Sequence, residues 1–482
     1  MAKRKHSADA IVEPAAVGWP ARFEMPYPAT APRLINPDLG LAALVGRAGA
    51  DATYTMDVTV LDAPDHRLLR SGVVLAHRVV GERGEWYLAA PAWAPLLPAE
   101  RSVPMGYGDL PDDLARLIRP FRRRAPLGPV AALTCDRREF EFRDADGRRL
   151  ALLRDDRMTV RRAGVTTARY REVTLAGTDT GPTAEQRTWL VETLNGVGGT
   201  RIDEFPPLVQ RLGAPATGLT DFPIAEPPGT ELPFGPFVAR WLAVRLRALV
   251  AADLRLSGSA DDKTEALLAA DVVAEAARLR DEAEALSGVL DTDWISDLDE
   301  ELDWVIDAGA PAGSGPGSAA GLRTRLRGER YLAVLDRLVS AIRAPKVGHL
   351  DRLPAGDVTG TVVDDARAEA LAAGDGLTPD SGQDAWDRLA DALAAYHRAL
   401  RLTEIGPDSG FAGERRRLDR ARKAFAVVTD RARRADLVRA EAAEATPEDA
   451  FELGRRYERQ LTELAEDRAE FLRRWGKVAK KS

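Results

Sequence analysis

Hydrophobic and polar positions alternate with period two along short runs in the first part of the chain, then recur every three to four residues along long runs in the second. Alternation over 53–60, 72–79 and 85–89 predicts three strands. Asp62, Pro64 and Asp65 break the first two apart, and Gly72 restarts the pattern. Leu110, Leu114, Leu117, Ile118 and Phe121 share one side of a predicted helix over 110–121. Further strands are predicted at 130–135, 139–143, 149–153, 158–162 and 169–175, with Asp144, Asp146 and Gly147 forming a hairpin turn. Short strands at this spacing predict a mostly antiparallel sheet that closes on itself. A helix over 183–194 follows and ends at Asn195-Gly196. Prolines punctuate 18–49, so no regular element is predicted before Tyr54.

Proline and glycine crowd 206–236, which marks a domain boundary. Beyond it, helical periodicity runs through 238–256, 263–290, 294–306, 322–344, 384–404, 413–439 and 447–478. Two stretches interrupt it: 309–320 has the composition of a linker, and 351–382 is polar with many breakers. The expected fold class is therefore α+β, an N-terminal antiparallel β-barrel followed by an all-α helical bundle. The expected organisation is an arm over 1–17, a β-rich domain over 18–205, a linker over 206–236 and a helical domain over 237–482.

A chain of 482 residues exceeds what one core usually supports, which agrees with two domains. The net charge of -7 argues against general nucleic-acid binding, and no sequence-specific nucleic-acid partner is expected. A single Cys135 rules out an intramolecular disulfide, and the five histidines show no metal-ligand spacing. No apolar run is long enough for a signal peptide or a membrane span, so a cytoplasmic protein without membrane contact is expected. Lys3, Arg4 and Lys5 read as a phosphate tether or as a solvated tail.

The stretch VLDAPDHRLLRSGVVLAHR carries Asp62, Pro64, Asp65, Arg67, Leu68, Leu69, Arg70, Gly72, Leu75 and Arg78. In that spacing it resembles the D-T-P-D-L-R-L-L-R-x-G segment of the CYTH domain, the triphosphate-tunnel fold. The helical part is similar to a CHAD domain in Glu301-Leu302-x-Trp304, Phe451-x-Leu453-Gly454-Arg455 and Trp475. The resemblance implies a β tunnel that holds Mg²⁺ or Mn²⁺ on carboxylates, followed by two similar helical halves whose cationic faces suit inorganic polyphosphate.

Both signatures are eroded. The family's E-x-E-x-K strand has no counterpart; Glu24, followed by Pro26, is the acid nearest its place. Ala76 and Ala89 replace basic positions, Thr174 and Ala176 replace acidic ones, and Glu172 and Asp156 remain as the metal-ligand candidates. Arg78, with Arg137, Arg138 and Arg171 as neighbours, is the phosphate candidate, or the partner of Glu172 or another acid. The helical signature falls on Ala270, Val273, Ala277, Arg278 and Arg280, with Arg388 in the second half and His397 and Arg398 out of register. Arg415, Arg416, Arg417, Arg420, Arg422 and Lys423, then Arg431, Arg433 and Arg434, form a basic run that reads as a paired, solvated face or as a polyanion surface.

These residues predict a non-catalytic binding or scaffold protein with no catalytic residue and no cofactor. Its phosphate-binding candidates are Arg78, Arg137, Arg138, Arg278, Arg280, Arg388, Arg416 and Arg417. The alternatives are a divergent metal-dependent triphosphatase using Mg²⁺ or Mn²⁺, and a purely structural module for a protein partner.

Overall fold

The computed structural model describes residues 19–49, 51–106, 109–178, 181–258, 262–309, 319–403 and 411–479. The expected arm over 1–17 and most of the expected linker over 309–320 lie outside them. The chain divides between Asp221 and Phe222 into two compact units.

The first unit is built on ten strands: β1 (Ala21–Met25), β2 (Ala43–Gly46), β3 (Thr53–Asp62), β4 (Val74–Val80), β5 (Arg83–Ala89), β6 (Glu100–Pro104), β7 (Gly128–Arg143), β8 (Arg149–Arg162), β9 (Val165–Gly177) and β10 (Thr200–Ile202). The described pairings are antiparallel, in the order β10-β1-β9-β8-β7-β3-β4-β5-β6, with β2 added on β7. The sheet is open, which corrects the expected closed barrel: among the described residues β10 and β6 are edges and do not pair. The ends are poor templates for closure, because β10 has only 3 residues and β6 finishes on Pro104, which donates no ladder bond.

Four helices accompany the sheet: α1 (Arg67–Arg70), α2 (Asp112–Arg122), α3 (Ala184–Gly196) and α4 (Leu208–Leu212). Thr183 and Gln186 form a capping box that starts α3. That helix packs Leu190, Val191 and Leu194 on Phe23, Phe142, Leu153, Val173 and Leu175, one face of the sheet. The alternate residues point to the other face, where Val58, Val60, Ala76, Ala131, Leu133 and Val160 meet Leu212 and Ala216 from α4 and the turn after it. Thus part of the stretch read as a linker, 206–236, lies in the core of the first unit.

The Asp62 to Arg70 wording is a turn device. Buried Asp62 accepts from the backbone N–H of Ala63 at 2.6 Å, Leu68 at 3.0 Å and Leu69 at 2.9 Å, satisfying donors at the start of the α1 turn. Asp65 pairs with Arg67 at 2.9 Å and Arg70 at 3.1 Å, and Gly72 takes the left-handed conformation, φ 74°, that releases the chain into β4.

The second unit is helical: α5 (Phe234–Gly258), α6 (Asp262–Ala285), α7 (Thr292–Gly309), α8 (Ala319–Leu326), α9 (Glu329–Arg343), α10 (Ala355–Gly374), α11 (Gln383–Leu402), α12 (Ala412–Glu444) and α13 (Pro447–Ala479). Helix α10 falls where breakers predicted none. It buries Val358, Val363 and Ala370, so packing overrides the poor propensity of its glycines, threonines and valines. A second core gathers Trp386, Leu389, Leu393, Phe425, Phe471 and Trp475 from α11, α12 and α13.

The starts of α5 and α10 share the words Leu-Pro-x-Gly and pair with each other. Phe234 N–H donates to Leu353 O at 2.8 Å and Ala355 N–H to Leu232 O at 2.8 Å; Gly235 N–H donates to Asp351 O at 3.1 Å and Gly356 N–H to Thr230 O at 2.9 Å. A Cβ on Gly235 would lie 2.0 Å from Asp351 Oδ1, so a side chain there would require that exposed carboxylate to swing aside.

Candidate functional site

The charged part of the α4 face is a row across β1, β9, β8, β7 and β3. Glu24 lies opposite Glu172, Glu172 opposite Asp156, Asp156 opposite Arg137 and Arg137 opposite Tyr54. Side chains directly across an antiparallel pair are close neighbours, so three carboxylates in sequence need counter-charge. Three guanidiniums supply it, Arg154 reaching Asp156 at 3.3 Å. Arg137 holds Asp156 in a two-bond fork at 2.7 and 2.8 Å and reaches the Tyr54 hydroxyl at 2.9 Å. Arg211, from α4, reaches Glu24 at 2.5 Å and Glu172 at 3.2 Å and stacks 4.2 Å from the centre of the Tyr170 ring.

Burial raises the Glu172 carboxyl above its ordinary range, opposed by Arg211 and reinforced by Asp156 and Glu24. Burial likewise pushes the Cys135 thiol up to about 12, so it is no nucleophile at neutral pH.

A divalent cation bound here would draw on Glu24, Glu172 and Asp156, the acids of this row. They do not fit that role, because each already accepts from a guanidinium. Among the described residues no group of three or more His, Cys, Asp or Glu side chains is arranged to hold a metal ion.

The sequence candidates separate in space. Arg78 lies on the α4 face, 3.1 Å from the centre of the Tyr87 ring, with Glu85 at 3.7 Å and Glu100 at 3.8 Å. Its acids are thus on its own sheet edge and do not include Glu172. Arg137 and Arg138 point to opposite faces, and Arg138 is exposed. Arg171 is on the α3 side, buried in a fork with Asp155 at 2.7 Å on both arms. It is therefore no neighbour of Arg78.

In the helical unit Arg280 is committed to Asp303 and to Asp281 at 3.2 Å, whereas Arg278, Arg388 and Arg416 are exposed. Arg417 is half-buried on α12.

A different set does converge. A groove between α11 and α12 has Ala390, Ala394 and Ala426 as its small-residue floor, with Arg422, Thr429, Asp430 and Arg433 beside them. Arg422 and Arg433 make no ion pair with any described residue. Toward one end His397 lies 3.2 Å from Asp419; burial first, then the Arg422 charge, and more weakly Arg401, hold its imidazole below the ordinary range. Sequence reasoning placed Arg422 and Arg433 in a basic run without choosing them. Their spacing with Ala426 and Thr429, at three and four residues, is the signal that they share a face. Arg211 was missed because it lies in the presumed linker, yet Leu208, Val209 and Leu212 around it are the pattern of one amphipathic turn.

No family model matches the sequence, and no curated protein matches it. Solved structures are similar in part. A candidate adenylate cyclase from Bacillus halodurans is 12% identical with TM-score 0.23, spanning 36% of this chain and 96% of its own. PptA from Streptomyces chartreusis is 22% identical with TM-score 0.30, spanning 51% and 100%. The PH1819 protein from Pyrococcus horikoshii OT3 is 10% identical with TM-score 0.21, spanning 40% and 94%. No described helix is long and apolar enough to cross a membrane.

Proposed function

We propose that this chain is a CYTH-CHAD-like protein that binds a linear polyanion, inorganic polyphosphate being the model ligand, and does not hydrolyse triphosphates. The observation that carries the reading is the contrast in pairing. Glu24, Glu172 and Asp156 are each neutralised within the first unit, while Arg422 and Arg433 border a groove with no described acid closed on them. Phosphoryl transfer is mostly positioning and charge stabilisation around the metal-bound phosphates, and acids locked to arginine cannot provide it. A repeating anion, by contrast, needs spaced cations on a regular support, and a long helix with arginines three helical turns apart provides that.

The test is titration of the full chain with fluorescent long-chain polyphosphate across a salt series, alongside phosphate release from tripolyphosphate with Mg²⁺ or Mn²⁺. Binding that weakens steeply with salt, and no release, are expected. Metal-dependent release lost in Glu172→Gln, or no binding at low salt, overturns the reading.

A further inference from the structure

We infer that Arg211 is a permanent cation of the α4 face: its guanidinium takes the place of an exchangeable counter-ion between Glu24 and Glu172, and α4 is a built-in occupant of that face. This goes beyond polyanion binding, which concerns the helical unit.

The geometry is specific. Glu24 and Glu172 are direct cross-strand neighbours, an arrangement unfavourable for two anions without a bridging cation. Arg211 bridges both while its guanidinium carbon lies 4.2 Å from the centre of the Tyr170 ring. Its side chain is only 13% exposed and that of Glu172 18%, so this pair is partly shielded from solvent salt, whereas Glu24 at 39% is more open.

The helix that delivers it is anchored at both ends of its exit turn. Leu212 and Ala216 are buried in the apolar part of the face, and Arg162 donates to Leu212 O and, at 2.8 Å, to Ala214 O. A guanidinium stays charged across the accessible pH range and cannot be chelated away. The counter-charge is therefore covalent to the chain, and the face cannot exchange it for a divalent ion.

The experiment is a double-mutant cycle on the full chain with Arg211→Gln, Glu172→Gln and the double variant, read by thermal melting with and without Mn²⁺. Arg211→Gln should lower the melting temperature of the first unit and, unlike the wild type, regain part of it with Mn²⁺. The double variant should melt above Arg211→Gln and lose the Mn²⁺ response, since the opposed charges are gone. Arg211→Lys, a point charge unable to span both acids in the same plane, should fall between wild type and Arg211→Gln. If Arg211→Gln does not fold, the double variant against Glu172→Gln alone still measures whether Arg211 acts through Glu172.

Additive effects of the two substitutions, or a wild-type Mn²⁺ response equal to that of Arg211→Gln, overturn the inference. Polyphosphate binding should be unchanged throughout, so its failure and the failure of this inference are separable.

Discussion

The α4 face of the sheet and the groove between α11 and α12 are both rich in arginine, but they use it in opposite ways. On that face Arg137 and Arg211 each end on carboxylates of the strands, at 2.5 to 3.2 Å, and on the α3 side Arg171 does the same with Asp155 at 2.7 Å. On α12, Arg422 and Arg433 border open space. Pairing, and not the number of cations, separates an arginine that holds the fold from one that is available to a ligand. The erosion of a signature is legible in the same terms. At Glu24, Glu172 and Asp156, where the resemblance implied metal and phosphate chemistry, guanidiniums from the same unit satisfy the acids.

The largest loss is expected on the α3 side, where Arg171 and Asp155 are paired and buried. Asp155→Ala leaves a guanidinium stranded with 3% side-chain exposure, and about 3–5 kcal/mol should be lost in urea denaturation. Replacing the pair together by Met and Leu should recover most of that, because no uncompensated charge remains. The groove should respond in the other sense. Arg422→Ala with Arg433→Ala should leave stability within about 0.5 kcal/mol, yet weaken polyphosphate binding about tenfold, worth about 1.4 kcal/mol.

Asp299 offers an intermediate case. Burial, then Glu284 and Asp303, raise its carboxyl to about 6, against the pull of Arg280 and Arg398. The unfolded chain gives up this proton near 3.8 and the folded chain near 6, so the folded form holds more protons between those values and stability falls as pH rises through them. Asp299→Asn should therefore change nothing below the lower value and stabilise by about 1 kcal/mol above the higher one, the figure being reduced for solvent screening. Thermal melts across that range check both ends. The smallest effect is expected at Arg388 and Arg278, where alanine should shift stability by less than about 0.5 kcal/mol and leave polyanion affinity unchanged.

The period of the apolar positions made the α+β class legible, and the strands β3, β4 and β5 lie where alternation put them. Charge hid the rest of the sheet. The runs Asp136-Arg137-Arg138 and Arg154-Asp155-Asp156-Arg157 read as breaks, whereas β7 and β8 pass straight through them because Arg137 pairs with Asp156 and Arg171 with Asp155 across the ladder. Such pairing is a property of register, which one strand's sequence does not contain. Strand β1 was missed for a different reason. Pro20 and Pro26 flank it closely, and its 5 residues fit between them with the ladder ending at Met25. The site was less legible than the fold, since Arg211 and Arg422 become special only through what lies opposite them.

The exchange between Leu232-Pro233-Phe234-Gly235 and Leu353-Pro354-Ala355-Gly356 is reciprocal: each strip gives the other the same bonds that it receives. This is the signature of an isologous contact, the kind found between identical subunits, here written twice along one polypeptide. A chain cut between α9 and α10 would leave each fragment with a sticky, self-complementary strip and no intramolecular mate. The covalent linkage of the two strips settles which mate each one meets.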